Sequence, residues 1–490
     1  MKRVKAQKSA NMLSALKMQL VSKYSNVVVQ LIVTMVLARL LTPEEYGTVA
    51  VVTVFTSFFS ILADVGVSTA IIQYKDLEYE DFNALFFFCM ILGLGLAAFF
   101  CLLSLPISMI YNEGELIPLC CLASLSVLFA SMNMVPNGVL MCERRFSAIS
   151  VRLVVASLVS GVVAIALAAA GAGCYSLVWQ SVTSSAVILA WNCAATHVNL
   201  GNRHFVAPLK KIWRFSIYQA GFSTINYFAR NLDNLLVGAI MGSAQLGQYD
   251  KAYKLMGYPL NYLTGIFSDV LQPYLSEYQD NKKKLYESWL SICKVLALVG
   301  MFVTAVFICF PREIILVMYG DQWLPAVPVL AALGLSVGVQ MVNTTSGAIF
   351  QSAGRTDQLF KSGVICTCVT IVAILIGVST GSIALLGLCV SLAYFVHLYM
   401  TALLLVKGVL GVRVSSFLKS FLPSIAAAIA AIGVTYFVGW LTSGLTTVLN
   451  VVIRALVCCL IYGFVMRLTG EWKSLSVFQE MKKIGVEDND

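Results

Sequence analysis

Apolar stretches of about 20 residues, the length needed to cross a hydrocarbon core, recur along almost the whole chain. They fall at roughly 18–41, 47–73, 82–110, 114–141, 147–170, 174–196, 212–241, 245–272, 286–310, 323–350, 360–380, 383–406, 419–440 and 447–468. In lipid every backbone N–H and C=O needs an internal partner, which leaves helices and closed barrels as the spanning structures. A barrel shows short alternating segments, so the long runs predict an all-α integral membrane protein with fourteen transmembrane helices. Only 12% of the residues are charged and the mean hydropathy is +0.85, against about a quarter charged in a soluble domain.

Fourteen spans put both termini on one side, and lysine and arginine placement identifies it. With the N-terminus in the cytoplasm, that side collects the basic residues of 1–17, Lys75, Arg144, Arg145, Arg203, Lys210, Lys211, Arg214, Lys282 to Lys284, Arg355, Lys361, Lys407, Arg413, Lys419, Arg467, Lys473, Lys482 and Lys483. The opposite loops hold only Arg312. Both termini are therefore expected in the cytoplasm. The net charge of +9 is mostly this orientation signal and implies no nucleic-acid partner. Residues 1–17 lack the apolar core of a cleaved signal peptide. The 14 cysteines show no CxxC pair and no Cys/His metal spacing, and read as packing residues. No P-loop, HExxH or nucleotide fingerprint is present, and the longest outer loop, about 311–322, has no room for a catalytic cluster. An enzyme is disfavoured.

Weak similarities recur at offsets of roughly 200 to 210 residues: Gly47 with Gly247, Tyr111 with Tyr319, Ala123 with Ala331, Gly138 with Gly347, Arg145 with Arg355 and Gly171 with Gly381. Their order indicates a duplication of six helices. Six is even, so the copies run in the same direction and are expected as two lobes related by an axis along the membrane normal. The resulting organisation is a basic segment 1–17, an N-lobe 18–196, a cytoplasmic linker 197–214, a C-lobe 215–406, two extra helices in 419–468 and a cytoplasmic tail 469–490.

Three stretches carry a family likeness: "VLARLLTPEEYGTVAVVTVFTSFFSILADVGVSTAIIQ" (36–73), "NLDNLLVGAIMGSAQLGQYDKAYKL" (231–255) and "FQSAGRTDQ" (350–358). The chain resembles the polysaccharide transporter branch of the multidrug/oligosaccharidyl-lipid/polysaccharide superfamily, in particular flippases of the Wzx and teichuronic-acid types. The resemblance implies two lobes around a central cavity. It also implies transfer of undecaprenyl-diphosphate-linked oligosaccharide between leaflets of a bacterial cytoplasmic membrane by alternating access. Partners would be that lipid-linked glycan, membrane lipid and other polysaccharide-assembly proteins. No cofactor is implied beyond Na⁺ or H⁺ as a coupling ion, and the last two spans are expected to flank an apolar groove for the polyprenyl tail.

Such a substrate needs cationic and polar groups within the membrane. A charge at the bilayer centre costs at least about 2.5 to 3.5 kcal/mol, so midspan charges usually face a bundle interior or water. Arg230 is the deepest basic residue of the seventh span, and Asp233 lies one turn on, on nearly the same face. Either the two neutralise each other and pin the lobes, or Arg230 meets diphosphate while Asp233 positions it. Lys251 and Lys254 share a face of the eighth span, where they either snorkel or line the cavity. Arg39 and Arg454 near outer ends, and Lys23, Arg152 and Lys294 near inner ends, read mostly as snorkelling residues. Asn26, Gln30 and Thr34 form a polar stripe on the first span, matched on the seventh by Asn226, Arg230 and Asn234, which makes both spans candidate cavity walls. Asp64 and Asp269 read as pairing with nearby bases. Asp233 with Thr367, Thr370 and Ser391 is a candidate coupling-ion set. GxxxG spacings at Gly238/Gly242, Gly334/Gly338 and Gly377/Gly381 permit close helix approach.

Two other functions stay open at this point. A multidrug/cation antiporter of the same superfamily would want an acidic cavity, whereas the excess of bases among the intramembrane charges favours an anionic substrate. A non-transporting scaffold of glycan assembly gives no reason for midspan charge.

Overall fold

The computed structural model of the protein describes residues 2–64, 67–73, 79–143, 145–200, 205, 206, 209, 224, 227, 231–276, 278, 279, 281–444 and 446–471. All regular structure among them is helical. Ten of these helices are long and apolar enough to cross a membrane, or up to eleven if one pair bent by 45° is a single span. The shortfall from the expected number has a compositional cause. Cys174–Thr196 and Ser243–Ser276 are 23 and 34 residues long, but Gln, Ser, Thr and Asn dilute the first, and Asp250, Lys251, Lys254 and Asp269 the second. The first part of the seventh run lies outside the described residues.

The chain forms two compact units, Met1–Gly247 with Met318–Gln322, and Gln248–Val317 with Trp323–Asp490. The first contains α1 (Lys2–Leu40), α2 (Pro43–Asp64), α3 (Val67–Gln73), α4 (Tyr79–Tyr111), α5 (Leu116–Cys142), α6 (Phe146–Ala169), α7 (Cys174–Thr196) and a helical segment 231–241, α8. The start of α2 is written in "TPEE". The Thr42 backbone N–H donates to Glu45 Oε2 at 2.7 Å and the Glu45 N–H donates to Thr42 Oγ1 at 3.3 Å, a reciprocal capping box with Pro43 preset for the first helical position. One core gathers Val67 and Ile71 of α3, Leu85, Phe86 and Cys89 of α4, and Val135 and Val139 of α5.

The helix α9 (Ser243–Ser276) begins in the first unit. The second unit holds the rest of it with α10 (Lys282–Cys309), α11 (Pro311–Met318), α12 (Ala326–Gly334), α13 (Val337–Asn343), α14 (Ser346–Ser352), α15 (Thr356–Ser379), α16 (Ile383–Ala402), α17 (Val414–Lys419), α18 (Leu422–Leu441) and α19 (Thr447–Leu468). Small residues let its helices approach closely, as expected in lipid where packing replaces the hydrophobic drive. A Cβ on Gly300 would lie 2.7 Å from the Gly338 Cα, so the α10 and α13 backbones touch. Ala427, Ala428 and Ala431 of α18 pack into the core with Met301 and Ala305 of α10 and Cys458 and Tyr462 of α19.

The 45° bend falls between Ala326–Gly334 and Val337–Ser352. Hydroxyls satisfy the freed backbone there. Ser391 Oγ donates to the Ala332 carbonyl at 2.6 Å and lies 3.2 Å from Ser336 Oγ, Gln340 Nε2 donates to Ser336 Oγ at 2.8 Å, and the Gly338 N–H donates to Thr304 Oγ1 at 3.1 Å.

Polar ties fasten α19 and the residues just after it to α10 and α11. Arg454 donates to Glu313 Oε1 at 3.0 Å and to the Cys309 carbonyl at 2.7 Å, Tyr462 donates to the Leu298 carbonyl at 2.6 Å, and Lys294 pairs with Glu471 at 3.1 Å. Lys294 and Arg454 are thus engaged within the protein instead of snorkelling. Hydrogen bonds to charged groups contribute about 1.5–3 kcal/mol each. Arg454→Ala should therefore lower stability by about 2 kcal/mol, read as a fall in thermal midpoint of the detergent-solubilised protein. An unchanged midpoint would mean that the tie contributes nothing.

Candidate functional site

Of the residues singled out on the seventh span, Arg230 and Asn226 lie outside the described residues. Their neighbours on α8 are placed. Asp233 is buried, and its carboxylate Oδ1 accepts the Asn234 backbone N–H at 2.9 Å. The Asn234 side-chain oxygen is buried without a hydrogen-bond partner, so a free acceptor sits one residue from a buried carboxylate. Asn231 donates to the Tyr227 carbonyl at 2.9 Å, and the Tyr227 hydroxyl donates to the Val54 carbonyl of α2 at 2.6 Å.

On α9, Lys254 is half exposed and pairs with Asp250 at 2.7 Å. Lys251, only 3% exposed, lies with its ammonium 5.8 Å from the ring centroid of Trp323. The two lysines therefore differ: Lys251 is buried against an aromatic face, and Lys254 keeps an accessible ammonium beside one carboxylate.

The polar stripe of α1 divides. Asn26 is half buried and accepts from Ser157 Oγ of α6 at 2.5 Å. Gln30 and Arg39 are exposed, and the Arg39 stem lies 3.7 Å from where a Cβ of Gly320 would stand.

Of the suggested coupling-ion residues, Thr370 and Ser391 are engaged within the second unit. Asp233 belongs to the first. In the second, Thr370 Oγ1 donates to the Cys366 carbonyl at 3.0 Å and lies 3.1 Å from His397 Nε2. Ser391 serves the bend between α12 and α13. Thr367 is half buried.

Sequence reasoning missed one cluster. Arg152, read as a snorkelling residue, is 6% exposed. Its Nη1 donates to Asn192 Oδ1 at 2.7 Å and to Asn137 Oδ1 at 3.1 Å, and Asn192 Nδ2 donates to Asn133 Oδ1 at 2.6 Å. The Arg152 Nε has no partner, nor does Arg152 form any ion pair among the described residues. Asparagines repeating at 133 and 137 on one face of an apolar span were the available signal.

Each unit also has a cavity lined by described residues. One of about 560 Å³ at the α2, α4 and α7 ends of the first unit is lined by Glu44, Glu45, Glu113 and Glu115 with Thr42, Thr48 and Tyr175, and by no basic residue. Thr48 donates to Glu113 at 3.1 Å there. The other, about 550 Å³ in the second unit, is an apolar groove. Met301 and Ile308 of α10, Val339 and Val342 of α13, Phe395 and Leu398 of α16, and Leu422, Ile425, Ala428, Ile429 and Ile432 of α18 form its walls, with Lys419 as its one charged residue. Of the two last helices only α18 lines it; α19 packs behind, on α10.

Known proteins resemble this chain in sequence and in fold. The chain is 24% identical over 391 residues to the lipopolysaccharide biosynthesis protein WzxC of Escherichia coli (strain K12), covering 78% of each chain. It is 24% identical over 360 residues to the teichuronic acid biosynthesis protein TuaB of Bacillus subtilis (strain 168), covering 72% of this chain and 74% of that one. The fold superposes on the lipid II flippase MurJ in its inward closed conformation with a TM-score of 0.73, at 13% identity, over 92% of this chain and 98% of that one. The family model described as polysaccharide biosynthesis protein matches residues 36–328, and the chain belongs to that family.

Proposed function

We propose that the protein is a flippase that carries undecaprenyl-diphosphate-linked oligosaccharide across the bacterial cytoplasmic membrane for cell-surface polysaccharide synthesis. It works by alternating access of two six-helix lobes, residues 18–196 and 215–406, joined by the linker 197–214, with both termini cytoplasmic and the helices of 419–468 outside the repeat. Movement of Na⁺ or H⁺ supplies the coupling, and no bond is made or broken.

The observation that carries this reading is the apolar groove beside α18. A lipid-linked glycan joins a long hydrocarbon chain to an anionic, hydrated head, and the second unit offers surfaces of both kinds. The groove takes the chain, with Lys419 at its edge, while the accessible ammonium of Lys254 suits the diphosphate. The similarity to proteins named for lipopolysaccharide and teichuronic acid synthesis and to a lipid II flippase supports the substrate class.

The test is a deletion strain in which lipid-linked oligosaccharide is measured. Accumulation of the lipid-linked repeat unit on deletion, cleared when the chain is restored, is the expected result. Unchanged levels would overturn the assignment. The groove gives a finer readout. Ile425→Ser removes apolar contact worth about 1–2 kcal/mol to a bound tail. Competition by a long-chain polyprenyl substrate should weaken about tenfold, while a short-chain analogue that does not reach the groove is unaffected. Equal losses for both would place the tail elsewhere.

A further inference from the structure

Lys254, Tyr258, Asn261 and Tyr262 fall within about 100° of one another around α9, which turns once in 3.6 residues. Ala252 and Met256, on the other side of the helix, are buried in the second unit. Lys254 and Asn261 are exposed, and Tyr258 and Tyr262 are half-buried. The two tyrosine rings lie within 11° of parallel with their centroids 6.1 Å apart. At that separation they form an offset pair, in which neither ring covers the face of the other. Gly257 leaves a notch beside them. Beyond its own helix backbone and chain neighbours, a Cβ built there would meet only Asn261 Nδ2, at 3.6 Å. Ser243 begins α9, so Lys254 stands about 17 Å along it. A charge at such depth faces a bundle interior or water, and the face that carries it is therefore wet.

We propose that this face of α9 is a sugar-stacking subsite, on which Tyr258 and Tyr262 receive the pyranose ring attached directly to the diphosphate. The inference rests on the transport reading above. The C–H groups of a pyranose carry slight positive charge and pack on the negative face of an aromatic ring. Its hydroxyls both donate and accept hydrogen bonds, and so does the Asn261 side-chain amide. The order along the helix matches the order along the substrate. Lys254 and Tyr258 are one turn apart, about 6 Å along the axis, which is the reach of one phosphate-to-sugar linkage. A hydrocarbon tail would also pack on tyrosine, but it would leave the Asn261 amide and the Lys254 ammonium without partners in an apolar setting. The rings thus read the C–H face of the first sugar, and the amide reads its edge.

The experiment measures equilibrium binding to the detergent-solubilised full-length chain. The probes are farnesyl diphosphate and farnesyl diphosphate carrying glucose, galactose or N-acetylglucosamine. At least one glycosylated probe should bind about tenfold tighter than farnesyl diphosphate. Tyr258→Leu and Tyr262→Leu should each cut that preference about fivefold and leave farnesyl diphosphate binding unchanged, which also shows that the variants are folded. Tyr258→Phe should keep the preference, because the ring and not the hydroxyl carries the contact. Gly257→Leu should fill the notch and remove it, and Lys254→Gln should weaken all probes alike. A second measurement needs no variant. In protein protonated only at tyrosine, saturating the ring protons should transfer magnetisation to the C–H protons on one face of the bound sugar. Equal affinity for every probe, equal losses for every probe in the leucine variants, or no transfer to the sugar overturns the subsite. If a leucine variant binds nothing, the transfer measurement decides. A chain that clears lipid-linked glycan in the deletion strain but binds all probes equally refutes the subsite and not the flippase. Sugar-dependent binding by a chain that clears none refutes the flippase and not the subsite.

Discussion

Arg230→Ala is expected to abolish glycan flipping while leaving expression and membrane insertion intact. The residue lies in the middle of an apolar run, where a charge is retained against a cost of at least about 2.5 to 3.5 kcal/mol. The translocating head must pass that depth. A guanidinium offers planar paired donors matched to phosphate oxygens, and charge-assisted hydrogen bonds of about 1.5–3 kcal/mol each make the loss of two a change of at least about a hundredfold in rate. Arg230→Lys should recover only part, because a point charge cannot form the fork. Asp233, buried on α8, allows the competing structural reading to be tested. The exchange Arg230→Asp with Asp233→Arg should restore stability, since one charge of each sign is kept three positions apart on the same run, but not transport. A swapped protein that flips at the normal rate would make the pair structural and remove Arg230 from the substrate path.

The second large effect concerns the interior of the first unit. Asn192→Leu should destabilise the protein by about 3 kcal/mol, because it takes the nearer acceptor from a buried guanidinium and leaves an uncompensated charge. Arg152 would retain only Asn137, at 3.1 Å, with its Nε still unpartnered. Replacing both members, Arg152→Met with Asn192→Leu, should recover most of the loss, since well-packed apolar groups are commonly neutral substitutes for a buried polar network. Thermal midpoints of the three proteins in one detergent provide the check. A double variant as unstable as the single one would show that the loss comes from packing around Asn192 and not from the charge.

The helical class and the division into long apolar segments were legible because hydrophobic length is a local property. The offset in the sequence also picked out Gly47 and Gly247, where a Cβ on the second would stand 3.1 Å from the backbone nitrogen of the first. The break between α12 and α13 was not legible. "LGLSVGVQMVN" is mostly apolar, and its own Ser336 and Gln340 stabilise the bend only together with hydroxyls supplied by Ser391 and Thr304 from other helices. Charges near span ends were misread for the same reason. Arg152 has partners 15 and 40 residues away, Arg454 finds Glu313 141 residues away and Lys294 finds Glu471 177 residues away. Snorkelling is the default when only the residue's own helix is visible. Asn26 shows the converse, since its spacing with Gln30 and Thr34 suggested one continuous wet face, yet Ser157 of α6 takes it up.

The ties between α10 and α19 also set a timetable for synthesis. Glu313 and the carbonyls of Leu298 and Cys309 enter the membrane region well before the ribosome reaches Arg454 and Tyr462. At about 5–20 residues per second the wait is on the order of ten seconds. Throughout it α10 presents an ammonium at Lys294 whose partner, Glu471, is made last of all. A nascent chain halted before α19 would leave the charges of Lys294 and Glu313 without these partners, and unsatisfied polar atoms within lipid cost several kcal/mol each. The helix α19 thus completes the polar pairing of helices made long before it.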